Sequence, residues 1–123
     1  MRRKMSAIIY IFISIILAVT GQFLLKKGMN KIGTISLSQL SSNLFKIFTN
    51  IYILTALLVF VISFLIWLTV LSKFDLSYAY PLVSTGYILV ALVSLFFLKE
   101  NITLSRWLGI FLIAIGSYVL TRT

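Results

Sequence analysis

Charged residues divide this chain into long apolar runs. Four segments carry no charge, and each is apolar along almost its whole length: residues 5–25, 47–72, 76–98 and 107–121. An α-helix rises about 1.5 Å per residue, so about 18 to 20 apolar residues cross the roughly 30 Å hydrocarbon core of a bilayer. The first three runs are long enough, and the fourth becomes long enough if it takes in residues 102–105.

The continuity of these runs favours helices over membrane β-strands. Lipid-facing strands alternate apolar and polar positions over about ten residues, which these runs do not do. A spanning helix also satisfies its own backbone hydrogen bonds in lipid. The chain is therefore predicted to be an all-α integral membrane protein, a single domain whose four transmembrane helices form a bundle over residues 5–26, 47–72, 76–98 and 102–121.

The only long connection, residues 26–46, leads into a short amphipathic stretch. Leu37, Leu40, Leu44 and Phe48 recur at helical spacing among serines and amides. This pattern predicts a turn or two of helix. It serves either as an interfacial lead-in to the second span, which we favour, or as a helix that binds a partner.

Composition excludes most other functional classes. Hydrophobic residues make up 61% of the 123 residues and charged residues only 11%, whereas a soluble domain carries about a quarter charged residues. The absence of Cys and His excludes disulfides, thiolate nucleophiles, imidazole bases and the usual zinc sites. Asp75 and Glu100 are the only carboxylates. We therefore expect no enzyme activity, no cofactor and no metal site.

The net charge of +9 suits a membrane surface, and no soluble module is present to bind nucleic acid. Four spans place both termini on one side. The flanking cations then divide almost equally, five on that side and six on the other: Arg2, Arg3, Lys4, Lys73 and Arg122 against Lys26, Lys27, Lys31, Lys46, Lys99 and Arg106. The positive-inside rule needs a clear excess. The chain therefore inserts both ways and pairs antiparallel with itself, is oriented by a partner, or takes one orientation from its N-terminal cluster.

Polar side chains within the runs mark faces that point into the protein, because apolar side chains alone do not drive helices together in lipid. Gln22 carries an amide that would be costly against lipid. In the third run, small and hydroxyl-bearing residues follow one helical face: Ser77, Tyr80, Ser84, Tyr87, Ala91 and Ser94. That stripe either bonds across helices or faces a ligand. We favour the ligand, because the stripe offers donors and acceptors suited to a sugar or phosphate.

Two further features bear on mechanism. Gly109 and Gly116 lie seven residues apart on the fourth run, which allows two helices to approach closely and predicts a dimer seam. A proton-coupled exporter of cations needs a carboxylate within the membrane, but no acid or base lies in the middle of any run. Glu100, at the end of the third run, is either a solvated charge or a partner for a cationic headgroup or Arg106.

Four segments carry a resemblance to a known family: Gly21, Gln22 and Lys26; Trp67, Leu68, Val70 and Leu71; Ala79, Tyr80, Pro81 and Ser84; and Glu100, Arg106, Trp107, Gly109 and Gly116. With them, the chain resembles the four-span branch of the drug/metabolite transporter superfamily, of the EamA and small multidrug resistance type. Ala18 stands where the small multidrug resistance exporters carry an essential glutamate, which argues against exchange of drugs for protons. The resemblance is closer to the subunits of the aminoarabinose-phosphoundecaprenol flippase.

The resemblance implies a multi-pass transporter of the bacterial inner membrane, working as a homodimer or as a heterodimer with a homologous subunit. It would flip a polyprenyl-phosphate-linked sugar, such as aminoarabinose-phosphoundecaprenol, across the membrane. The implied substrate-binding residues are Gln22, Lys26, Trp67, Tyr80, Ser84, Tyr87, Glu100 and Arg106, with Gly109 and Gly116 at the dimer interface. Lys26 and Arg106 would meet phosphate, and Glu100 a sugar amine or Arg106.

Two alternatives stay open. One is an exporter of small organic cations of the small multidrug resistance type, in which Glu100 replaces the missing acid. The other is a non-transporting membrane subunit that stabilises a glycosyltransferase system.

Overall fold

The structure is a computed structural model that describes the backbone of residues 2–122 and the side chains of residues 8–120 and 122. The Arg2, Arg3 and Lys4 cluster, which bears on orientation, lies outside the described side chains. Residues 2–122 form helices and no strand. The elements are α1 (Arg2–Ile32), two 3₁₀ turns (Leu37–Gln39 and Ser41–Asn43), α2 (Leu44–Thr49), α3 (Ile51–Lys73), α4 (Leu76–Val83), α5 (Gly86–Phe96) and α6 (Leu104–Thr121).

Among the described residues, three helical stretches are long and apolar enough to cross a membrane: Ile8–Ile32, Ile51–Lys73 and Leu76–Phe96. A fourth apolar helix, Leu104–Leu120, is shorter. Large apolar side chains such as Leu58 and Leu65 are exposed on the outer surface, and in a bilayer this surface faces lipid. The prediction of an all-α, multi-pass membrane protein is confirmed.

α1 extends about two turns beyond residue 26, the predicted end of the first span. The extension carries two lysines, Lys27 and Lys31, and follows directly on Lys26. Lysines suit a helix C-terminus, where the backbone carbonyls carry partial negative charge. The helix ends at Gly33, which takes a φ of 97° and whose N–H donates to the Met29 carbonyl at 2.8 Å. The charges therefore belong to the helix end and not to the predicted connection.

Glycines let α1 lie against α3 at close range. A Cβ atom at Gly21 would come 2.8 Å from Cζ of Phe60, and one at Gly28 would come 2.8 Å from Cγ1 of Ile53. Asn50 ties the same two helices together. Its Oδ1 atom caps α3 by accepting two backbone N–H bonds in the first turn, and its Nδ2 atom donates to the Gly28 carbonyl at 3.2 Å.

The third predicted span is broken into α4 and α5. Pro81 lacks the N–H that a continuing helix needs, and α4 ends soon after it. The chain then turns through tighter bonds, in which the N–H of Ser84 donates to the Pro81 carbonyl and the N–H of Thr85 to the Leu82 carbonyl, both at 3.1 Å. α5 begins at Gly86. The hydroxyl-rich stripe predicted along one straight helix is therefore bent at its centre.

The amphipathic stretch before α3 forms the two 3₁₀ turns and the short helix α2. Ser36 is the N-cap residue of the first turn, and its N–H donates to Oε1 of Gln39 at 3.1 Å. Leu37 and Phe45 are largely exposed. These two side chains thus point away from the bundle, as both of the roles predicted for the stretch require.

We expect the Asn50→Ala variant to be destabilised by about 2 kcal/mol, because it loses both the helix cap and the bond to the Gly28 carbonyl. Asn50→Asp keeps the cap acceptor but has no amide donor, so its loss should be about half as large. Thermal unfolding in detergent, followed by circular dichroism, measures both. Equal stability of Asn50→Ala and the unsubstituted protein would contradict the role assigned to this side chain.

Candidate functional site

One face of α1 lines a groove that runs through the helices. The groove follows Ser14, Ala18, Gln22 and Lys26, which are spaced four residues apart. At about 1.5 Å and roughly 100° per residue, these positions span about 18 Å and wind about 120° around the helix. The groove therefore begins against α3, near Ser14, and ends against α5, near Lys26. We call it the α1 groove and describe it as three adjoining chambers.

The central chamber has a volume of about 500 Å³, within the usual range for small-molecule sites. Its walls come from α1, α4 and α5. Four of the residues predicted to bind substrate line it together: Gln22, Tyr80, Ser84 and Tyr87. Ser84 lies in the break between α4 and α5, so the bend in the third span brings the tyrosines on either side of it to one cavity.

Three polar side chains of the central chamber lack partners. Tyr80 and Tyr87 are 67% and 56% exposed, and Gln22 is exposed as well. None of the three side chains forms a hydrogen bond with another described residue. A backbone amide without a hydrogen bond in the hydrocarbon core costs several kcal/mol of stability. Burying a phenol or a side-chain amide without a hydrogen bond is also unfavourable. These side chains are therefore available to a polar ligand or to a partner chain.

The hydroxyl of Ser84, in contrast, is already engaged. It contacts the hydroxyl of Ser117 on α6 and donates to the carbonyl of Pro81, and the Ser117 hydroxyl donates to the Ile113 carbonyl at 2.9 Å. Ser117 is only 4% exposed and was not among the predicted residues. A hydroxyl within an apolar run is nevertheless a signal of an interhelical bond in lipid. Ser84 thus joins the central chamber to α6.

The lysine chamber, about 320 Å³ in volume, adjoins the central chamber at Gln22. Lys26 and Glu100 both line it, together with Ser94, and no ion pair joins the two charges among the described residues. The backbone places Glu100 here, since Lys99 takes a φ of 55° and the N–H of Glu100 donates to the Ser94 carbonyl at 2.9 Å. The chamber therefore offers a positive and a negative charge to one ligand. No cluster of metal-binding side chains occurs in the described part of the chain.

The third chamber, which we call the tryptophan chamber, has a volume of about 390 Å³. It adjoins the central chamber on the side away from the lysine chamber, and the two share four lining residues: Ile15, Ala18, Tyr80 and Val83. α3 contributes three aromatic side chains to it: Phe60, Phe64 and Trp67. Of the residues predicted to bind substrate, Trp67 lies here and not in the central chamber.

Three predicted residues lie away from the α1 groove. Arg106 is exposed in the first turn of α6, where its backbone N–H donates to Oγ1 of Thr103 at 3.2 Å. It lines none of the three chambers, and within the described part of the chain no ion pair joins it to Glu100. A Cβ atom at Gly109 or Gly116 would meet no atom of the described residues within 4 Å, so this face of α6 is open toward them. The roles of Arg106 at a phosphate and of the glycines at a dimer seam stay predictions.

Comparison with known proteins gives three informative relatives. The probable 4-amino-4-deoxy-L-arabinose-phosphoundecaprenol flippase subunit ArnF of Proteus mirabilis (strain HI4320) is 28% identical over 115 residues, which cover 89% of this chain and 86% of the relative. The corresponding subunit ArnE is 38% identical over 61 residues in Pseudomonas savastanoi pv. phaseolicola, covering 50% of this chain and 54% of the relative. In Hamiltonella defensa, ArnE is 46% identical over 56 residues, covering 46% and 50%.

The match to these ArnE relatives thus spans about half of their length. No solved structure matches the chain. The EamA-like transporter family matches residues 5–122. The predicted resemblance is confirmed, and the match places the chain among transporters and not among enzymes. Because the match covers nearly the whole sequence, the chain belongs to the EamA-like transporter family.

Proposed function

We propose that this chain is a subunit of a transporter that moves a polyprenyl-phosphate-linked sugar across the bacterial inner membrane. The relatives named above are probable subunits of a flippase for 4-amino-4-deoxy-L-arabinose-phosphoundecaprenol. The observation that carries the proposal is the central chamber, where Gln22, Tyr80 and Tyr87 present polar atoms without partners among the described residues. Sugar hydroxyls and phosphate oxygens supply the hydrogen bonds that these side chains lack.

The lysine chamber supplies a partner for each charge of the headgroup. Lys26 binds the phosphate, and Glu100 binds a sugar amine, each through a charge-assisted hydrogen bond. Gln22 lines both chambers, so the phosphate, which joins the sugar to the hydrocarbon chain, lies between Gln22 and Lys26, and the sugar extends from there toward Glu100. A headgroup that carries a phosphate and an amine, as the names of the relatives indicate for their substrate, matches both charges.

The groove addresses the main energetic obstacle to flipping a lipid. A charged group at the centre of a bilayer costs at least about 2.5 kcal/mol, whereas the hydrocarbon chain crosses without penalty. A flippase therefore has to shield only the headgroup. The large exposure of Tyr80 and Tyr87 shows that the central chamber is open at its side, so the chain of the lipid can trail out of it.

We propose further that all four apolar helices span the membrane and that α6 forms a dimer seam. The Gly109 and Gly116 face of α6 is open within the protomer, and glycines allow a second helix to approach closely. The partner is a second copy, antiparallel if the balanced flanking charges leave both orientations accessible, or a homologous subunit. The second arrangement is supported by the two subunit names among the relatives. In either dimer, Arg106 would face the phosphate at an entrance to the groove that is formed by both protomers together.

Export of small organic cations has less support. Glu100 does line the groove, but it lies at the groove's end, while Ala18 and Gln22 occupy the middle. A carboxylate that exchanges protons for a cation must lie within the membrane. The other alternative, a subunit that only stabilises a glycosyltransferase system, predicts that the purified chain transports nothing.

The Tyr80→Phe variant should slow transport of a lipid-linked sugar phosphate in proteoliposomes by about tenfold, because it deletes one hydrogen bond to a charged group. A membrane-impermeant reagent that modifies the headgroup measures the rate. Tyr78→Phe is the matched control, since Tyr78 lies on the same helix, lines none of the chambers and stacks on Phe74 with ring centroids 5.2 Å apart. Equal rates for the two variants would contradict the assignment of the central chamber.

Cysteines introduced at Gly109 and Gly116 should form disulfide cross-links between protomers, because the chain has no other cysteine and this face of α6 is open. In an antiparallel pair, a mixture of the Gly109→Cys and Gly116→Cys proteins gives the most product, whereas in a parallel pair each variant links to itself. Phe111→Cys, on the opposite side of the same helix, is the control and should stay monomeric. If the Phe111→Cys protein gave as much cross-linked dimer as the two glycine variants, the proposed dimer seam would be wrong.

A further inference from the structure

The tryptophan chamber presents almost only carbon to its interior. Its large side chains are the aromatic rings of Phe60, Phe64 and Trp67. The two serine hydroxyls in its wall satisfy each other: Oγ of Ser63 donates to the Ser14 carbonyl at 3.1 Å, which leaves the proton of Ser14 for the contact of 3.3 Å between the two hydroxyls. Both protons are used, so neither serine hydroxyl has a proton left for a ligand. The third hydroxyl, that of Tyr80, lies where this chamber meets the central chamber.

The apolar chamber continues directly into the polar part of the groove. Ala18 and Tyr80 line both the tryptophan chamber and the central chamber, and the small side chain of Ala18 leaves space between them. Beyond the central chamber lie Lys26 and Glu100. Along about 18 Å of α1, the lining thus changes from aromatic to hydrogen-bonding to charged. An amphiphile with a charged head and a hydrocarbon chain has the same gradient of polarity.

From this gradient we infer that the tryptophan chamber is a binding site for the first part of the lipid's hydrocarbon chain, next to the headgroup held in the central and lysine chambers. The inference rests on the proposed function and adds a chain subsite and a fixed direction to it. The headgroup points to Lys26, and the chain leaves past Tyr80 toward Trp67. Moving a hydrocarbon chain from the bilayer into this chamber yields no hydrophobic free energy, because both surroundings are apolar. The chamber therefore orients the lipid through packing contacts.

A second apolar groove lacks this continuity. It lies between α5 and α6, has a volume of about 560 Å³ and is lined by residues that include Ile88, Trp107 and Phe111. None of its lining residues is shared with the central chamber. To reach this groove from the headgroup site, the hydrocarbon chain of the lipid would have to pass around the outside of α5.

The two tryptophans make the two grooves separately measurable. Trp67 and Trp107 are the only tryptophans in the chain, and each lines one of the two apolar grooves. The Trp107→Phe variant therefore reports on the tryptophan chamber alone, and Trp67→Phe on the groove between α5 and α6. The probe is a short prenyl phosphate that carries bromine in the isoprene unit next to the phosphate, because bromine quenches indole fluorescence on contact.

In detergent micelles, the probe should quench the Trp107→Phe protein saturably, and excess unbrominated prenyl phosphate should restore its fluorescence. In the Trp67→Phe protein, the probe should quench the remaining tryptophan, Trp107, no more than a brominated alkane does at the same mole fraction. That alkane measures non-specific quenching in the micelle. Equal quenching of both variants, or quenching of Trp67 that the unbrominated lipid does not reverse, would overturn the chain subsite. Saturable quenching of Trp107 alone would place the chain between α5 and α6 and overturn it as well.

A second pair of variants keeps the test independent of the tryptophan changes. Phe64 and Phe12 are both 59% exposed, but only Phe64 lines the tryptophan chamber. In the protein that retains both tryptophans, Phe64→Ala should raise the half-saturating concentration of the probe severalfold, and Phe12→Ala should leave it unchanged. Equal values for the two variants count against the subsite.

Transport measured on the same preparations separates this inference from the proposed function. Transport of the lipid-linked sugar without saturable quenching of Trp67 would overturn the chain subsite and leave the flippase standing. The opposite result is saturable, reversible quenching of Trp67 in a protein that transports nothing, either alone or with a homologous subunit. It would support a lipid-binding site with this subsite for the hydrocarbon chain and would overturn the flippase.

Discussion

A polar atom in the hydrocarbon core of a bilayer has no water to bond to, and many hydroxyls within these helices meet that constraint by bonding to a backbone carbonyl of their own helix or to a group on a neighbouring helix. Ser14 and Ser63 join α1 to α3 in this way. Gln22, Tyr80 and Tyr87 do not meet it in this way, since they lie together in one chamber without partners among the described residues. Three unsatisfied polar side chains at one place lower the stability of a protein, and under the proposed function the substrate supplies the missing hydrogen bonds.

The same helix forms the protein's tightest contact and its site. The face of α1 that carries Gly21 and Gly28 lies against α3, where it leaves no space for a ligand. Residues four apart do not stay on that face, because each step of four residues turns about 40° further around the helix. The stripe that starts at Ser14 therefore leaves α3 and reaches α5 at Lys26. This drift explains why one end of the groove is walled by the aromatic rings of α3 and the other by charged and hydroxyl side chains.

Spacing predicted that Tyr80, Ser84 and Tyr87 share one face, and the structure brings them to one chamber, because residues three and four apart stay neighbours even across the break at Ser84; their role in binding stays a prediction. Charge indicates where an apolar run ends but not where its helix ends: α1 continues past Lys26, since lysines suit a helix C-terminus and the chain turns only at Gly33. Ser117 was missed because its partner, Ser84, is distant in sequence, so the position of its hydroxyl within an apolar run indicates an interhelical bond but not where that bond leads. The separation of Arg106 from the groove depends on the conformation of a connection, which no periodicity describes.

The most direct test of the central claim is the accessibility of a sugar-phosphoryl-polyprenol in proteoliposomes that contain the purified protein. A membrane-impermeant reagent modifies headgroups in the outer leaflet, so about half of the lipid stays protected if nothing carries headgroups through the apolar core. We predict that the protected half becomes reactive when the protein is present, alone or together with a homologous subunit. A protected fraction that stays unchanged in both preparations would contradict the account.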